Sequence, residues 1–134
     1  MKKAILVITA LSAMLAMPTG VAAKAKLTPQ QQLDKLLEGR VAGKPVSCIS
    51  QFDSRDMQVI DKTAIVYSTG SVIYVNRTSN PKSLDSDDIL VTKIWGIGPC
   101  RLDTIQLRER SGGFWHGFVG LEDFVPYRRV PKEG

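Results

Sequence analysis

The sequence predicts a mainly β domain, a small antiparallel barrel or sandwich with one short N-terminal helix. Three runs rich in β-branched and aromatic residues, at positions 57–60, 64–67 and 72–75, are separated by short polar turns, which is typical of an antiparallel meander. Further along, apolar residues alternate with polar ones through residues 102–109, a Ser-Gly-Gly turn follows, and an aromatic run covers residues 114–119. The period of two and the glycine-rich reversal predict a hairpin.

The first 23 residues have the pattern of a secretory signal peptide. A Lys-Lys pair forms a basic start, an uncharged apolar run covers residues 4–17, and small residues precede the predicted cleavage after Ala23, with Ala25 as the alternative. The apolar run is short for a membrane span, so we expect it to be removed and to leave no stable membrane anchor. The sequence therefore predicts a bacterial protein that is periplasmic or secreted, with residues 24–134 forming a single β-rich domain.

Length and charge limit the expected partners. Removing 23 of the 134 residues leaves 111, which is the size of one small domain. The formal net charge of the full chain is +5, and loss of the Lys-Lys pair lowers it to +3. Charges of both signs are interspersed, without the basic stripe that nucleic-acid binders carry. We therefore expect an envelope protein or a small ligand as the partner, and no nucleic acid.

The two cysteines, Cys48 and Cys100, predict a structural disulfide, because a cysteine pair in an oxidising compartment is oxidised by default. Closing a loop of roughly 50 residues contributes about 4 kcal/mol in the chain-entropy model. A catalytic thiol would have only one histidine to serve it, and a metal pair would need further ligands. We expect no metal and no cofactor.

The N-terminal helix is predicted over residues 28–38. Thr28 can cap it, Pro29 suits its first position, and Gln31 stands where a capping-box partner belongs. Leucines at positions 33, 36 and 37 form one apolar stripe, and Gly39 can end the helix. A helix of about three turns is marginal by itself, so we expect it to pack against the sheet.

Strands are predicted from about residue 45 to residue 127. The runs around Ile65 and Ile73 are almost continuously apolar, which predicts strands covered on both faces. Residues 89–95 form a further strand. The last strand begins at Phe124, and Pro126 confines it to an edge or an end, because proline cannot donate to the hydrogen-bond ladder.

The aromatic hairpin also carries the single histidine of the chain. Strict alternation on its second strand places His116 with Phe114 and Phe118, and Trp115 on the opposite face. This pattern indicates a partly buried, hydrogen-bonded imidazole. The aromatic side chains are suited to a sugar- or peptide-binding face, but the usual burial of such residues favours a place in the core.

The polar stretch Asn76–Asp88 is the longest predicted loop, which suits a surface role. Asp85, Asp87 and Asp88 form its densest acidic group and are a candidate loop binding site. Alternating aspartates are one way to begin collecting oxygen ligands for calcium, but the glycine and the distant glutamate of an EF-hand are missing. Solvation of the loop, or capping by Ser83 and Asp85, is the alternative interpretation.

No catalytic motif is present, so we expect no catalytic residues. The chain lacks a Gly-x-Ser-x-Gly elbow, a glycine-rich phosphate loop and a second histidine. We therefore predict a non-enzymatic envelope protein, a small binding or structural module. The first alternative is a periplasmic inhibitor of a secreted hydrolase such as lysozyme, with Asn76–Asp88 as the inserting loop. The second is a small hydrolase using His116 with Asp103 or Asp123.

Four segments carry a resemblance to known proteins: residues 43–50 (GKPVSCIS), residues 74–77 (YVNR), Cys100, and the tail Phe-Val-Pro-Tyr-Arg-Arg at 124–129. In these the chain resembles a group of small, functionally uncharacterised secreted bacterial proteins. The resemblance covers nearly the whole mature chain. It implies that the pairing of Cys48 with Cys100 is a shared structural feature, and it implies no catalytic residue.

Overall fold

In a computed structural model of the chain, two antiparallel sheets of five and three strands pack against each other. The structure describes residue 20 and residues 24–133. The predicted signal peptide, residues 1–23, lies outside the described residues except for Gly20. The predicted mainly β fold with a short N-terminal helix is confirmed. Because the sheets do not close on each other, the fold is a sandwich and not a barrel.

The larger sheet has the strand order β1-β8-β4-β3-β2, and the smaller sheet has the order β5-β6-β7. All neighbouring strands pair antiparallel. Within the described residues the elements are, in chain order, α1 (Pro29–Leu36), β1 (Arg40–Ala42), β2 (Met57–Ile60), β3 (Ala64–Thr69), β4 (Val72–Asn76), a 3-10 turn (Pro81–Ser83), β5 (Ile89–Thr92), β6 (Thr104–Arg108), β7 (Trp115–Gly120) and β8 (Val125–Arg129).

The helix begins with the predicted capping box. The Thr28 hydroxyl accepts from the backbone N–H of Gln31 at 3.2 Å, and the Gln31 side chain accepts from the backbone N–H of Thr28 at 2.9 Å. Leu33 is fully buried against the larger sheet, in a cluster with Ile60 and Val66. The helix therefore packs against the sheet as expected, although it is shorter than predicted and ends at Leu36.

Both faces of the larger sheet are covered, as the apolar runs in its central strands predict. On β3, Ile65 and Tyr67 face the smaller sheet, while Ala64 and Val66 face α1. Ile73 of β4 belongs to the same cluster as the helix. The buried residues between the two sheets are Ile49, Ile65, Tyr67, Leu84, Ile105, Leu107, Val119, Leu121 and Phe124.

The strand boundaries differ from the prediction at both ends of the chain. The first strand is β1, which the sequence analysis missed because three residues are too few to show a period of two. The predicted strand beginning near residue 45 forms only isolated bridges, from Val46 to Phe124 and from Cys48 to Cys100. The last strand extends to Arg129, where it pairs with β1.

Proline is tolerated in β8 although this strand lies between β1 and β4. Pro126 is the second residue of β8, so it stands at a strand end but not in an edge strand. Its ladder partner on β4 is Tyr74, whereas the pairing with β1 begins only at Tyr127. The Pro126 carbonyl accepts from the Gly43 N–H on the β1 side. The N–H that proline lacks would point to the same side as this carbonyl, towards Gly43 just beyond β1, so the ladder with β4 loses no hydrogen bond.

The predicted disulfide between Cys48 and Cys100 is present. The segments on either side of it run together, because the N–H of Ile49 donates to the Pro99 carbonyl at 3.1 Å. The approach is so close that a Cβ at Gly98 would overlap the Ile49 carbonyl oxygen. Two polypeptide segments 52 residues apart in sequence are thus joined by sulfur atoms and by backbone hydrogen bonds.

Candidate functional site

A β-bulge in the smaller sheet determines where the side chains of β7 point. Leu107 of β6 pairs with Gly117, but the next residue, Arg108, pairs with Trp115, so His116 is the extra residue of the bulge. A bulge shifts the alternation of the strand by one residue. Residues on the two sides of His116 therefore no longer follow the period of two that the sequence suggests.

The bulge brings two aromatic rings onto the same face. Trp115 and Phe118 stack with ring centroids 6.4 Å apart and an interplanar angle of 13°. Their exposed fractions are 58% and 62%, so neither ring is part of the core. The prediction that put Phe118 with His116 and Trp115 on the opposite face is wrong, because it assumed unbroken alternation. The expectation that the tryptophans fill the core is also wrong, since Trp95 is 80% exposed.

The outer face of the smaller sheet, named here the aromatic face, collects side chains from all three strands. The opposite face packs into the core through Leu90, Ile105, Leu107 and Val119. The strand register then assigns the alternate residues to the outside, where Ile89, Trp115 and Phe118 are exposed and the other members are half-buried. The members of the aromatic face are Ile89, Val91, Gln106, Arg108, Trp115 and Phe118.

A half-open cavity of about 270 Å³ adjoins the aromatic face at the end of β5. Val91 and Gln106 contribute to its lining from the sheet, and Lys93, Trp95 and Leu102 from the loops that follow β5 and precede β6. Leu102 is 78% exposed and Trp95 is 80% exposed. Asp103 and Thr104 complete the lining, so the cavity extends the aromatic face beyond the strands as a surface of mixed polarity.

Arg108 brings a positive charge to the aromatic face, between Ile89 and Trp115 in the strand register. Its Nη2 donates to the Gln106 side-chain oxygen at 3.2 Å, and its Nε is buried without an acceptor. Arg108 forms no ion pair among the described residues. Since a guanidinium group has five N–H donors, Arg108 retains donors for a further acceptor.

His116 leaves the plane of the aromatic face and pairs with Asp88 instead. Its Nε2 lies 2.9 Å from Asp88 Oδ1. The Asp88 side chain is only 9% exposed, and its second oxygen is buried without a partner. This hydrogen bond is the main cause that raises the pKa of His116 above its ordinary value of 6.5; desolvation opposes the increase, and the charges of Asp88, Glu109 and Asp85 add to it.

The structure does not bring together the residues of the hydrolase hypothesis. Asp103 Oδ2 accepts from the Cys100 N–H at 2.8 Å, and Asp123 lies 3.9 Å from Arg101. The carboxylate beside His116 is Asp88, which sequence reasoning did not name as its partner. Among the described residues no hydroxyl group is hydrogen-bonded to His116.

The three loop aspartates have separate roles in the structure. Asp85 Oδ1 accepts from the Asp87 N–H at 2.9 Å and closes a local turn. Asp88 pairs with His116, and Asp87 is exposed. Within residues 24–133, no three Asp, Glu, His or Cys side chains are close enough together to hold a metal ion. Binding by Asp85, Asp87 and Asp88 stays a prediction.

The polar stretch 76–88 is attached to the body of the protein and does not protrude. The buried Asn76 side chain donates to the Glu122 carbonyl at 2.7 Å and accepts from the Glu122 and Thr78 N–H groups at 3.0 Å. Ser79 exchanges two hydrogen bonds with Gly120 of β7. Leu84 is part of the core. The buried anchors are Asn76, Thr78 and Leu84, and the side chains between and after them are exposed or half-buried.

Sequence reasoning missed the aromatic face because it could not locate the bulge. The one local signal is the glycine at position 117, since a glycine inside a strand pattern often marks a bulge.

No helix among the described residues is long and apolar enough to cross a bilayer. No protein-family model, no curated protein and no solved structure matches the chain.

Proposed function

We propose that the chain is a non-enzymatic binding module of the bacterial cell envelope, and that it contacts a partner protein through the aromatic face. The observation that carries this proposal is the exposed stack of Trp115 and Phe118. Removing two such rings from water is strongly favourable. Their exposure therefore costs free energy in the isolated chain, and an interface that covers them offsets this cost.

The chemistry of the aromatic face favours a protein as the partner. Two aliphatic side chains are also exposed on this side of the smaller sheet: Ile89, by 41%, across Arg108 from Trp115, and Leu102, by 78%, in the cavity lining. Trp, Phe and Arg are the residue types that protein interfaces concentrate, with Trp and Arg dominating their binding energy. The free donors of Arg108 suit a carboxylate, which guanidinium groups bind in a charge-assisted pair. We therefore expect a partner surface with an apolar side chain beside an Asp or Glu.

The cell envelope is proposed as the location on two grounds. The disulfide joining Cys48 and Cys100 belongs to an oxidising compartment. The first 23 residues, which lie outside the described residues apart from Gly20, have the composition of a secretory signal. After cleavage the protein would be periplasmic or secreted.

A non-enzymatic role is proposed because the reactive side chains are already engaged. The two cysteines are bonded to each other. His116 pairs with a carboxylate that is nearly buried, and Tyr67 is packed in the core. Each of these groups supports the fold through the contact that it makes, and among the described residues no hydroxyl or thiol group is hydrogen-bonded to the pair of His116 and Asp88.

The proposal is tested by capture from envelope extract with matched variants of the chain. The double variant Trp115→Ser/Phe118→Ser removes the stack, Arg108→Ala removes the cation, and Val41→Ser is the control, because Val41 is 56% exposed on the other sheet. We expect a partner that the wild type and Val41→Ser retain with equal affinity. The double variant should bind it at least about 30-fold more weakly, since truncating one hot-spot residue costs about 2 kcal/mol or more.

Equal retention of all bound proteins by the wild type and the double variant would contradict the proposed surface. A wild-type chain that retains no protein at all would contradict a binding role. The inhibitor hypothesis receives less support, because the stretch that would insert is attached at Asn76 and Ser79. A lysozyme assay in the presence of excess protein decides it, and undiminished lysozyme activity would remove this alternative.

A further inference from the structure

Positively charged side chains gather at the end of the larger sheet where β1 pairs with β8. In the strand register Arg40 lies directly opposite Arg129. The two segments that meet here, residues 39–47 and 124–132, contain no aspartate and no glutamate. Strand pairing collects these cations from distant parts of the chain, so the sequence shows no continuous basic run. The group, named here the basic edge, consists of Arg40, Lys44, Arg128 and Arg129.

The direct opposition of Arg40 and Arg129 is unfavourable for the isolated domain. Facing residues of an antiparallel pair have neighbouring Cβ atoms, and like charges at such positions destabilise the pair. Among the described residues neither arginine forms an ion pair, and Glu38, two positions before Arg40, forms none either. An Nη of Arg40 donates to the Ser71 carbonyl at 2.8 Å. Since each guanidinium group has five N–H donors, the two arginines retain donors for a further acceptor.

The pair of facing arginines lies on the side of the molecule away from the aromatic face. Tyr127 stands two residues before Arg129, on the same side of β8, and packs against the cluster that includes Leu33 of the helix. Arg129 and Arg40 are therefore on the helix side of the larger sheet, whereas the smaller sheet covers its other side. A surface that contacts this pair leaves the aromatic face accessible.

Arg128 reaches the same edge from the other side of β8. It lies opposite Val41 of β1, and one of its Nη atoms would be 3.3 Å from a Cβ at Gly43, the residue that follows β1. The next residue, Lys44, is exposed. The outer strand of the larger sheet is thus flanked by cations on both of its sides.

We propose that the basic edge docks on a membrane surface that carries anionic phospholipids. Guanidinium groups bind phosphate through paired, charge-assisted hydrogen bonds, and the facing Arg40 and Arg129 present two such groups at one place. A lipid phosphate between them replaces their mutual repulsion by two attractions. The inference goes beyond the proposed binding role and does not require it.

Aliphatic side chains beside the cations favour a membrane surface over a soluble anion. Val41 in β1 is 56% exposed, and Val130, directly after Arg129, is 54% exposed. Binding at a membrane interface depends on the apolar area that enters it and on the attraction of cations to anionic lipids, and the basic edge offers both. With few residues of either kind, the binding is reversible and weakens as the salt concentration increases.

The test is flotation of the mature chain with lipid vesicles. Every element of the fold lies within residues 29–129, so the mature chain contains the whole basic edge. We expect binding at low salt to vesicles of phosphatidylglycerol and phosphatidylethanolamine, and none to vesicles of phosphatidylcholine alone. Arg129→Gln should lower the partition coefficient about fivefold, and Arg128→Gln/Arg129→Gln about 25-fold, because each cation near an anionic surface contributes about one factor of five.

A matched pair of arginines on other surfaces provides the control. Arg77 is exposed just after β4, at the end of that strand away from Arg128, and Arg110 is exposed in the turn between β6 and β7. Arg77→Gln/Arg110→Gln should bind within about twofold of the wild type, since distant charges are screened. An equal loss in the two double variants would overturn the proposal, because binding would then follow net charge. So would a wild type that binds neither kind of vesicle, or both equally.

Two further measurements separate docking on a membrane from other roles of the arginines. Sodium phosphate should release the chain from vesicles no better than sodium chloride at equal ionic strength, and preferential release by phosphate would overturn the proposal in favour of a discrete phosphate site. The melting temperature of Arg129→Gln should equal or slightly exceed that of the wild type, because the substitution removes a like-charge contact. A clear decrease would contradict the proposal, since Arg129 would then serve the fold.

Discussion

The imidazole of His116 and the carboxylate of Asp88 lie 2.9 Å apart and join the bulge of β7 to the start of β5. These two strands are not neighbours, because β6 lies between them. The pair therefore bridges the whole width of the smaller sheet at the end where the hairpin turns. It also holds the bulged residue away from the aromatic face, where Trp115 and Phe118 stack.

The stability of the domain should depend on pH through this pair. The pKa of His116 is raised in the folded state above its ordinary value of 6.5, so the folded chain holds the proton more tightly than the unfolded chain does. The contribution is complete below the unfolded pKa and is lost as the pH rises through the folded pKa. The melting temperature of the wild type should exceed that of His116→Gln more at about pH 5.5 than at about pH 8.5.

Proton NMR measures the pKa of His116 directly, because the chain has one histidine. We expect a value above 6.5 in the wild type and a return towards 6.5 in Asp88→Asn, which removes the charge and keeps the shape. In the thermal experiment, a difference in melting temperature between wild type and His116→Gln that grows with increasing pH would contradict the assigned pair.

The disulfide should contribute a large part of the stability. Its two cysteines are 52 residues apart in sequence. Closing such a loop contributes about 4 kcal/mol in the chain-entropy model, which corresponds to a decrease of about 15–30 °C in melting temperature when the bridge is lost. Calorimetry of the wild type with and without reducing agent measures the decrease. The variant Cys48→Ser/Cys100→Ser is the control, and its melting temperature should not respond to the reducing agent.

The side chain of Asn76 should be essential to the attachment of residues 76–88. Asn76→Ala leaves the Glu122 carbonyl and the Glu122 and Thr78 N–H groups without their partners in a buried site. We expect a loss of about 2–4 kcal/mol in the free energy of unfolding, measured by urea denaturation. Asn80→Ala is the matched control, because its side chain bonds only to the exposed Ser83 hydroxyl. Similar losses in the two variants would contradict this role.

Two glycines should respond in opposite ways to the same substitution. A Cβ at Gly98 would overlap the Ile49 carbonyl oxygen, so Gly98→Ala should destabilise the domain by about 1–3 kcal/mol. A Cβ at Gly117 meets nothing within 4 Å, and alanine costs less backbone entropy than glycine, so Gly117→Ala should be neutral or slightly stabilising. Thermal unfolding of the two variants makes the comparison. An unchanged melting temperature in Gly98→Ala would contradict this prediction, because it would mean that the segments around Gly98 and Ile49 separate easily to admit the methyl group.

Local features were predictable from the sequence because they depend on residues close together in the chain. The capping box of Thr28 and Gln31, three residues apart, formed as predicted. The strands around Ile65 and Ile73 were recognisable because burial on both faces demands an unbroken apolar run. The disulfide followed from the presence of two cysteines and the expected compartment.

The candidate site depended on contacts between residues distant in sequence. Strict alternation cannot show a bulge, because the extra residue is defined by the register of the neighbouring strand and not by its own sequence. His116 and Asp88 are 28 positions apart, and Asn76 and Glu122 are 46 apart. The sequence by itself determined the mainly β fold, its helix and its disulfide, and the tertiary structure decided for the sandwich and against the barrel. Only the tertiary structure decided which rings face outward, because one residue inserted into a strand reverses the faces of all that follow.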